Sequence, residues 1–312
     1  MEIPLLKDIV IILGSSVFII LLFQRLKIPS ILGFLLTGIL IGPSGLSLIT
    51  EIHEIELLAE IGVIFLLFVI GIEFSLKGLL SLKRTIIGGG VIQVGGTILV
   101  TMGIALYADM NWNQALFTGF ILSLSSTAIV LKMLQSRGEL SSPHGRIALA
   151  ILIFQDIIVV PMLLVTPLIS GEPGNIWLAV LYLTLKVISV VVVVFLMARY
   201  VVPYILHQVV KTRSNELFIL TIIVICFATA YLTSAIGLSL ALGAFFAGLV
   251  ISESEYDHQA SANILPFREI FISFFFVSIG MLLDIGFFID HIFMILLITL
   301  AVIVMKLIII NM

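Results

Sequence analysis

The amino-acid sequence predicts an all-α, polytopic membrane protein, and three observations carry that reading. Of the 312 residues, 61% are hydrophobic and only 11% charged, against about 45–50% and about 25% in soluble domains. The apolar residues gather into runs of roughly 20, the length that crosses a bilayer as a helix. Those runs lack the period-2 alternation of barrel strands, so helices are left to satisfy every backbone polar group in lipid.

Broken at charges, Gly-Pro pairs and Asn-containing turns, the sequence yields eleven candidate spans, at 5–23, 30–48, 56–75, 85–107, 114–134, 146–169, 176–206, 216–235, 237–252, 267–285 and 291–311. The first run has no basic segment before Leu5 and no small-residue cleavage site after it. It reads as a retained helix rather than a signal peptide. Lys and Arg set the orientation. Arg25, Lys27, Lys77, Lys83, Arg84, Lys132, Arg137, Arg146, Lys211, Arg213 and Arg268 fall in or beside alternate connections. The intervening connections hold Glu51, Glu54, Glu56, Asp109, Glu172 and Asp290 without a basic residue. The basic side is expected to be the cytoplasm, with the N-terminus outside and the chain in a plasma or inner membrane.

Several function classes drop out. A net charge of −3 offers no basic footprint for nucleic acid, and the lone Cys226 allows no intrachain disulfide. Glycine-rich stretches such as Gly88-Gly89-Gly90 are not followed by Gly-Lys-Ser/Thr, so they form no phosphate loop. They suit close helix contact instead. His144, His207, His258 and His291 show no ligand spacing. Neither an enzyme nor a resident cofactor or metal is expected.

The chain also repeats itself. Leu32-Gly33-Phe34-Leu35-Leu36-Thr37-Gly38 resembles Leu242-Gly243-Ala244-Phe245-Phe246-Ala247-Gly248, and Phe65–Gly71 resembles Phe274–Gly280. The glycines recur 210 and 209 positions apart. An offset of seven helices is odd, so the two copies are expected in opposite orientations, as in secondary transporters whose site lies where the copies meet. The expected division is a first repeat at 1–170, a linker helix at 171–214 and an incomplete second repeat at 215–312. The partner of the sixth span would fall near about 356–379 on this pattern. The second repeat is therefore read as truncated, in a fragment of a parent at least about 65 residues longer.

An ionisable group deep in a membrane helix is costly and marks a functional site by default. Asp156 is the clearest case. It lies ten residues past Arg146, about 15 Å along a helix. Ile153, Phe154, Ile157, Ile158, Val159 and Val160 surround it in sequence. Pro161 lacks an N–H, which frees the carbonyl of Ile157, and Gln155 adds a neutral oxygen. Such a carboxylate can hold a dehydrated monovalent cation or a proton. The alternative is a protonated acid bonded to a neighbouring helix.

Ser123, Ser125, Ser126 and Thr127 place four hydroxyls within five positions of an apolar run. They either open the helix and expose its carbonyls to an ion or form a polar contact between helices. Lys306, about 22 Å into the last span, is either a partner for Asp156 or snorkels to the surface. Glu73 reads as an interfacial partner of Lys77, and Lys186 as a snorkelling residue.

Together these residues resemble the monovalent cation:proton antiporter-2 family, above all its Kef-type potassium-efflux branch. The matching strings are Ser125-Ser126-Thr127-Ala128, Phe154-Gln155-Asp156-Ile157, Ala247-Gly248 leading to Glu253-Ser254-Glu255-Tyr256, then His258, Pro266-Phe267-Arg268 and Phe275–Met281. The resemblance implies an inverted-repeat cation/proton antiporter fold with two crossing broken helices, in a homodimer whose core domain moves like an elevator. It implies that Asp156 is the ion and proton site, Gln155 its neighbour, and Ser125, Ser126 and Thr127 the first crossover, with Lys306 as a charge partner. It favours K+ over Na+ as the cation exchanged for H+. A Na+/H+ antiporter of the same fold and a non-transporting membrane scaffold or sensor are the alternatives. Two departures stand out. The family's second broken helix lies beyond Met312. In addition, Gln259–Leu265 holds no acid where Kef-type systems carry an acidic loop that contacts a cytoplasmic nucleotide-binding regulatory domain.

Overall fold

Every regular element among the described residues is helical. The computed structural model describes all residues except 1–3, 27, 50–52, 75–81, 170–180, 182–184, 186–188, 190–191, 193–195, 236–238 and 311–312. Most of the seventh expected span lies outside the described residues, as do Lys27, Glu51, Lys77, Glu172 and Lys186.

In chain order the helices are α1 (Pro4–Arg25), α2 (Ser30–Ile41), α3 (His53–Glu73), α4 (Gly90–Tyr107), α5 (Trp112–Ser123), α6 (Thr127–Ser136), α7 (Pro143–Ile169), α8 (Val202–Lys211), α9 (Asn215–Ala235), α10 (Leu240–Ser252), α11 (Asp257–Met281), α12 (Ile285–Asp290) and α13 (Ile292–Ile310). Wide π-helical turns lead into α4 (Thr85–Gly89) and α8 (Met197–Val201). Side-chain caps set several starts. Ser239 accepts from Leu242 N at 3.1 Å ahead of α10, and Asp284 from Phe287 N at 3.0 Å ahead of α12. Eight helical stretches among the described residues are long and apolar enough to cross a bilayer, while α2 and α10 are shorter apolar helices.

Two boundaries differ from the sequence expectation. The span expected at 30–48 stops as a helix at Ile41, because Gly42 and Pro43 turn the chain; Ile49 stays buried beyond the turn. The span expected at 267–285 starts ten residues earlier, at Asp257. Ala260 and Ile264, four residues apart on one helical face, are fully buried and carry the helix through Pro266. Arg268 is therefore no connection residue. It sits inside α11, 5% exposed and ion-paired with Glu269.

The chain forms two compact units, each drawing on both ends of the sequence. One comprises residues 1–66 and 262–299, the other 67–261 and 300–312. In the first, Ile12, Ile41, Ile49, Ile55, Phe274, Val277 and Met281 form one buried cluster. Here α2 and α11 meet backbone to backbone. A Cβ added to Gly38 would lie 2.9 Å from Gly280 Cα, and one added to Gly280 would lie 3.0 Å from Gly38 Cα. The second unit contains the matching contact between α3 and α10. There the corresponding distances are 3.0 Å from Gly71 to Gly248 Cα and 2.8 Å from Gly248 to Gly71 Cα. Only glycine permits such an approach.

A second matched pair follows. Gly33 faces Ile20 and Phe23 of α1, while Gly243, 210 positions on, faces Ala230 and Thr233 of α9. The neighbours correspond as well: Ile20 and Ala230, and Phe23 and Thr233, are each 210 positions apart.

Candidate functional site

The membrane-length stretch from Trp112 to Ser136 is broken in its middle. α5 ends at Ser123, Leu124 and Ser126 take extended backbone angles (ψ 157° and 106°), and α6 resumes at Thr127. A break leaves carbonyls orphaned on one side and N–H groups on the other, and in an apolar setting each must find a partner. Ser126 Oγ accepts from Ile129 N at 3.3 Å and caps α6. The other partners come from distant parts of the chain.

α7 supplies two of them. Gln155 Oε1 accepts from Ser125 N at 2.8 Å, and Gln155 Nε2 donates to Ser123 O at 3.3 Å. One residue on, Asp156 accepts from Thr127 Oγ1, at 3.1 Å to Oδ1 and 3.3 Å to Oδ2. Asp156 is half-buried, whereas Gln155 is 2% exposed. Consecutive residues of a helix diverge by about 100°. Gln155 thus turns into the backbone of the break while Asp156 faces the first turn of α6. α7 stays helical past Pro161.

α13 supplies a third partner. Lys306 Nζ donates to Leu124 O at 2.6 Å and to Ser125 Oγ at 2.9 Å. The ammonium turns inward to the open end of α5, where the helix dipole is negative, instead of snorkelling. α4 supplies a fourth, which sequence reasoning passed over. Gln93 Nε2 donates to Ser123 O at 3.1 Å, and Gln93 Oε1 accepts from Gln155 Nε2 at 2.6 Å. The available signal was one neutral amide between Ile92 and Val94 in an apolar run.

The expected residues Ser125, Ser126, Thr127, Gln155, Asp156 and Lys306 thus converge on one break. Its composition suits a cation: an acid beside a hydroxyl, with neutral carbonyls near by. Among the described residues no group of three or more His, Cys, Asp or Glu side chains could hold a metal ion. Glu73 lies apart from the break and accepts from Gln135 Nε2 at 2.8 Å; its expected partner Lys77 is outside the described residues.

Against known proteins, the family described as sodium/hydrogen exchanger, transmembrane, matches residues 12–311. The chain belongs to this family. It is similar to a putative K(+) efflux antiporter KefB of Alkalimonas amylolytica, 39% identical over 89% of the chain and 42% of that protein. It is also similar to the glutathione-regulated potassium-efflux system protein KefC of Cronobacter sakazakii, 36% identical over 90% of the chain and 46% of that protein. The chain spans less than half the length of these relatives. Among solved structures, the sodium proton antiporter MjNhaP1 of Methanocaldococcus jannaschii at pH 8 shares the fold, with a TM-score of 0.68 at 19% identity, over 98% of this chain and 77% of that one.

Proposed function

We propose that this exchanger-family chain forms the membrane part of a secondary transporter that exchanges a monovalent cation, K+ in preference to Na+, for H+ by alternating access. The observation that carries the reading is Asp156 against Thr127 at the break between α5 and α6. A carboxylate that holds either a proton or a monovalent cation has the same net charge in both states, so either cargo can cross in the same neutral site. Gln155 cannot titrate, which leaves one acid per site and one cation per proton. The predicted cycle is electroneutral.

Gln155, Ser125 and Ser126 shape the site in this proposal, and Lys306, expected as a charge partner of Asp156, braces the break through Leu124 O and Ser125 Oγ. The glycine contacts, with Gly38–Gly280 matched by Gly248–Gly71, support the division into inverted repeats at 1–170 and 215–312. A homodimer, an external N-terminus in the cell membrane and a nucleotide-binding regulatory domain elsewhere in the parent belong to the same proposal. The names of the potassium-efflux relatives favour K+ over the Na+/H+ alternative.

Full-length protein in proteoliposomes tests this. A K+ gradient should drive proton movement that is unchanged when the membrane voltage is clamped, and Asp156→Asn should abolish it. Flux that survives Asp156→Asn rejects the site. Protein that moves protons with neither K+ nor Na+ would leave the scaffold reading.

A further inference from the structure

Gln155 touches three polar groups whose character is set by the backbone or by another helix. Ser125 N can only donate, Ser123 O can only accept, and Gln93 Oε1 accepts from Gln155 Nε2 at 2.6 Å. A flipped Gln155 amide would set N–H against N–H at Ser125 and oxygen against two oxygens. Gln93 is itself held. Its Nε2 donates to Ser123 O and, at 3.3 Å, to Thr97 Oγ1, whose own proton goes to Gln93 O at 2.6 Å. Both amides are 2% exposed, and Thr97 is fully buried. Every donor and acceptor of the two side chains is used, which makes such a buried network rigid.

α4 is shaped to deliver this amide. Gly90, one turn before Gln93, lies so close to α7 that an added Cβ would fall 2.5 Å from Phe154 Cβ. The π-helical turn at Thr85–Gly89 leads directly into that contact. π-bulges often occur where a helix must re-aim a side chain at a functional site.

We infer that Gln93 is a positioning residue: it holds the Gln155 amide in the one orientation that fits the Ser123–Ser125 backbone, and so sets the shape of the break that Asp156 faces. This rests on the proposed role of the break as the ion site. Gln93 touches neither Asp156 nor the cargo in this scheme and acts only through Gln155.

The test is a mutant cycle in full-length protein in proteoliposomes, with KM for K+ and maximal flux read separately. Gln93→Met keeps the length and removes all three side-chain hydrogen bonds, and should raise KM about tenfold while maximal flux falls less. On a Gln155→Met background the same change should add less than twofold, because the residue it works through is already gone. Gln93→Glu keeps an acceptor oxygen for Gln155 and should recover KM to within about threefold. If Gln93→Met fails to reach the membrane, Gln93→Asn, a methylene too short to reach Gln155, takes its place in the cycle. A parental KM in Gln93→Met, or the same factor on both backgrounds, overturns the inference. The two readings fail separately: transport that persists in Asp156→Asn sinks the site, whereas its loss there with an additive cycle sinks only the positioning role.

Discussion

Lys306 and Leu124, 182 residues apart in sequence, meet in a 2.6 Å hydrogen bond from the ammonium to the last open carbonyl of a broken helix. Lys306 also reaches Ser125 Oγ, so one cation serves two acceptors at the break. It therefore works as a C-terminal helix cap. The pair is part-buried, so removing one partner strands the other at the low end of the cost for a lost buried bond, about 1 kcal/mol. Lys306→Met should lower the melting temperature of the detergent-solubilised protein by several degrees, and Lys306→Arg should restore part of it. A melting temperature equal to the parent's in Lys306→Met would show that the bond contributes no stability.

Thr127 bonds Asp156 through its hydroxyl. Thr127→Val keeps the shape and leaves the carboxylate without that donor. The expected result is a KM for K+ raised about fivefold to twentyfold, with Thr127→Ser close to the parent. Equal KM values in Thr127→Val and the parent would remove the hydroxyl from the site.

The close approaches of glycines carry a stability prediction. A Cβ on Gly38 or Gly248 would strike the backbone carbonyl of Val277 or Phe68, and backbone cannot step aside as a side-chain tip can. Gly38→Ala and Gly248→Ala should each destabilise by about 3 kcal/mol. Gly14→Ala and Gly103→Ala, which meet nothing within 4 Å, should be neutral or mildly stabilising through helix propensity. Thermal melts of the four variants side by side decide the matter; equal losses in all four would refute close packing as the cause.

Gly90→Ala should act on transport as well as on stability. Its methyl group would push Phe154, the residue before Gln155, away from α4. Cation KM should rise in parallel with that of Gln93→Met, and a stability loss with KM unchanged would separate packing from positioning.

How much of this was legible in the sequence varies with the range of the interaction. The helical class and ten of the eleven spans were readable, apart from the early stop of α2 and the early start of α11, whereas the hydroxyls at 123–127 left a broken helix and a polar contact between helices equally open. Hydropathy and hydroxyl clustering act within a turn or two of their own position. Arg268 was misplaced for the same reason: its charge was read locally, whereas the burial of Ala260 and Ile264 extends the helix around it.

The sequence by itself determined that this chain spans a membrane, because lipid forces each backbone segment to satisfy its own hydrogen bonds, and that requirement is written into run lengths. It also singled out Asp156, since a carboxylate in such a run has few reasons to be there. Only the tertiary structure decided which groups close the broken helix. Lys306 could have snorkelled and Gln93 could have been an unremarkable amide; their partners lie 182 and 30 residues away, beyond the reach of any local pattern. An orphaned backbone group accepts any suitable donor brought within reach, and packing alone chooses which one arrives.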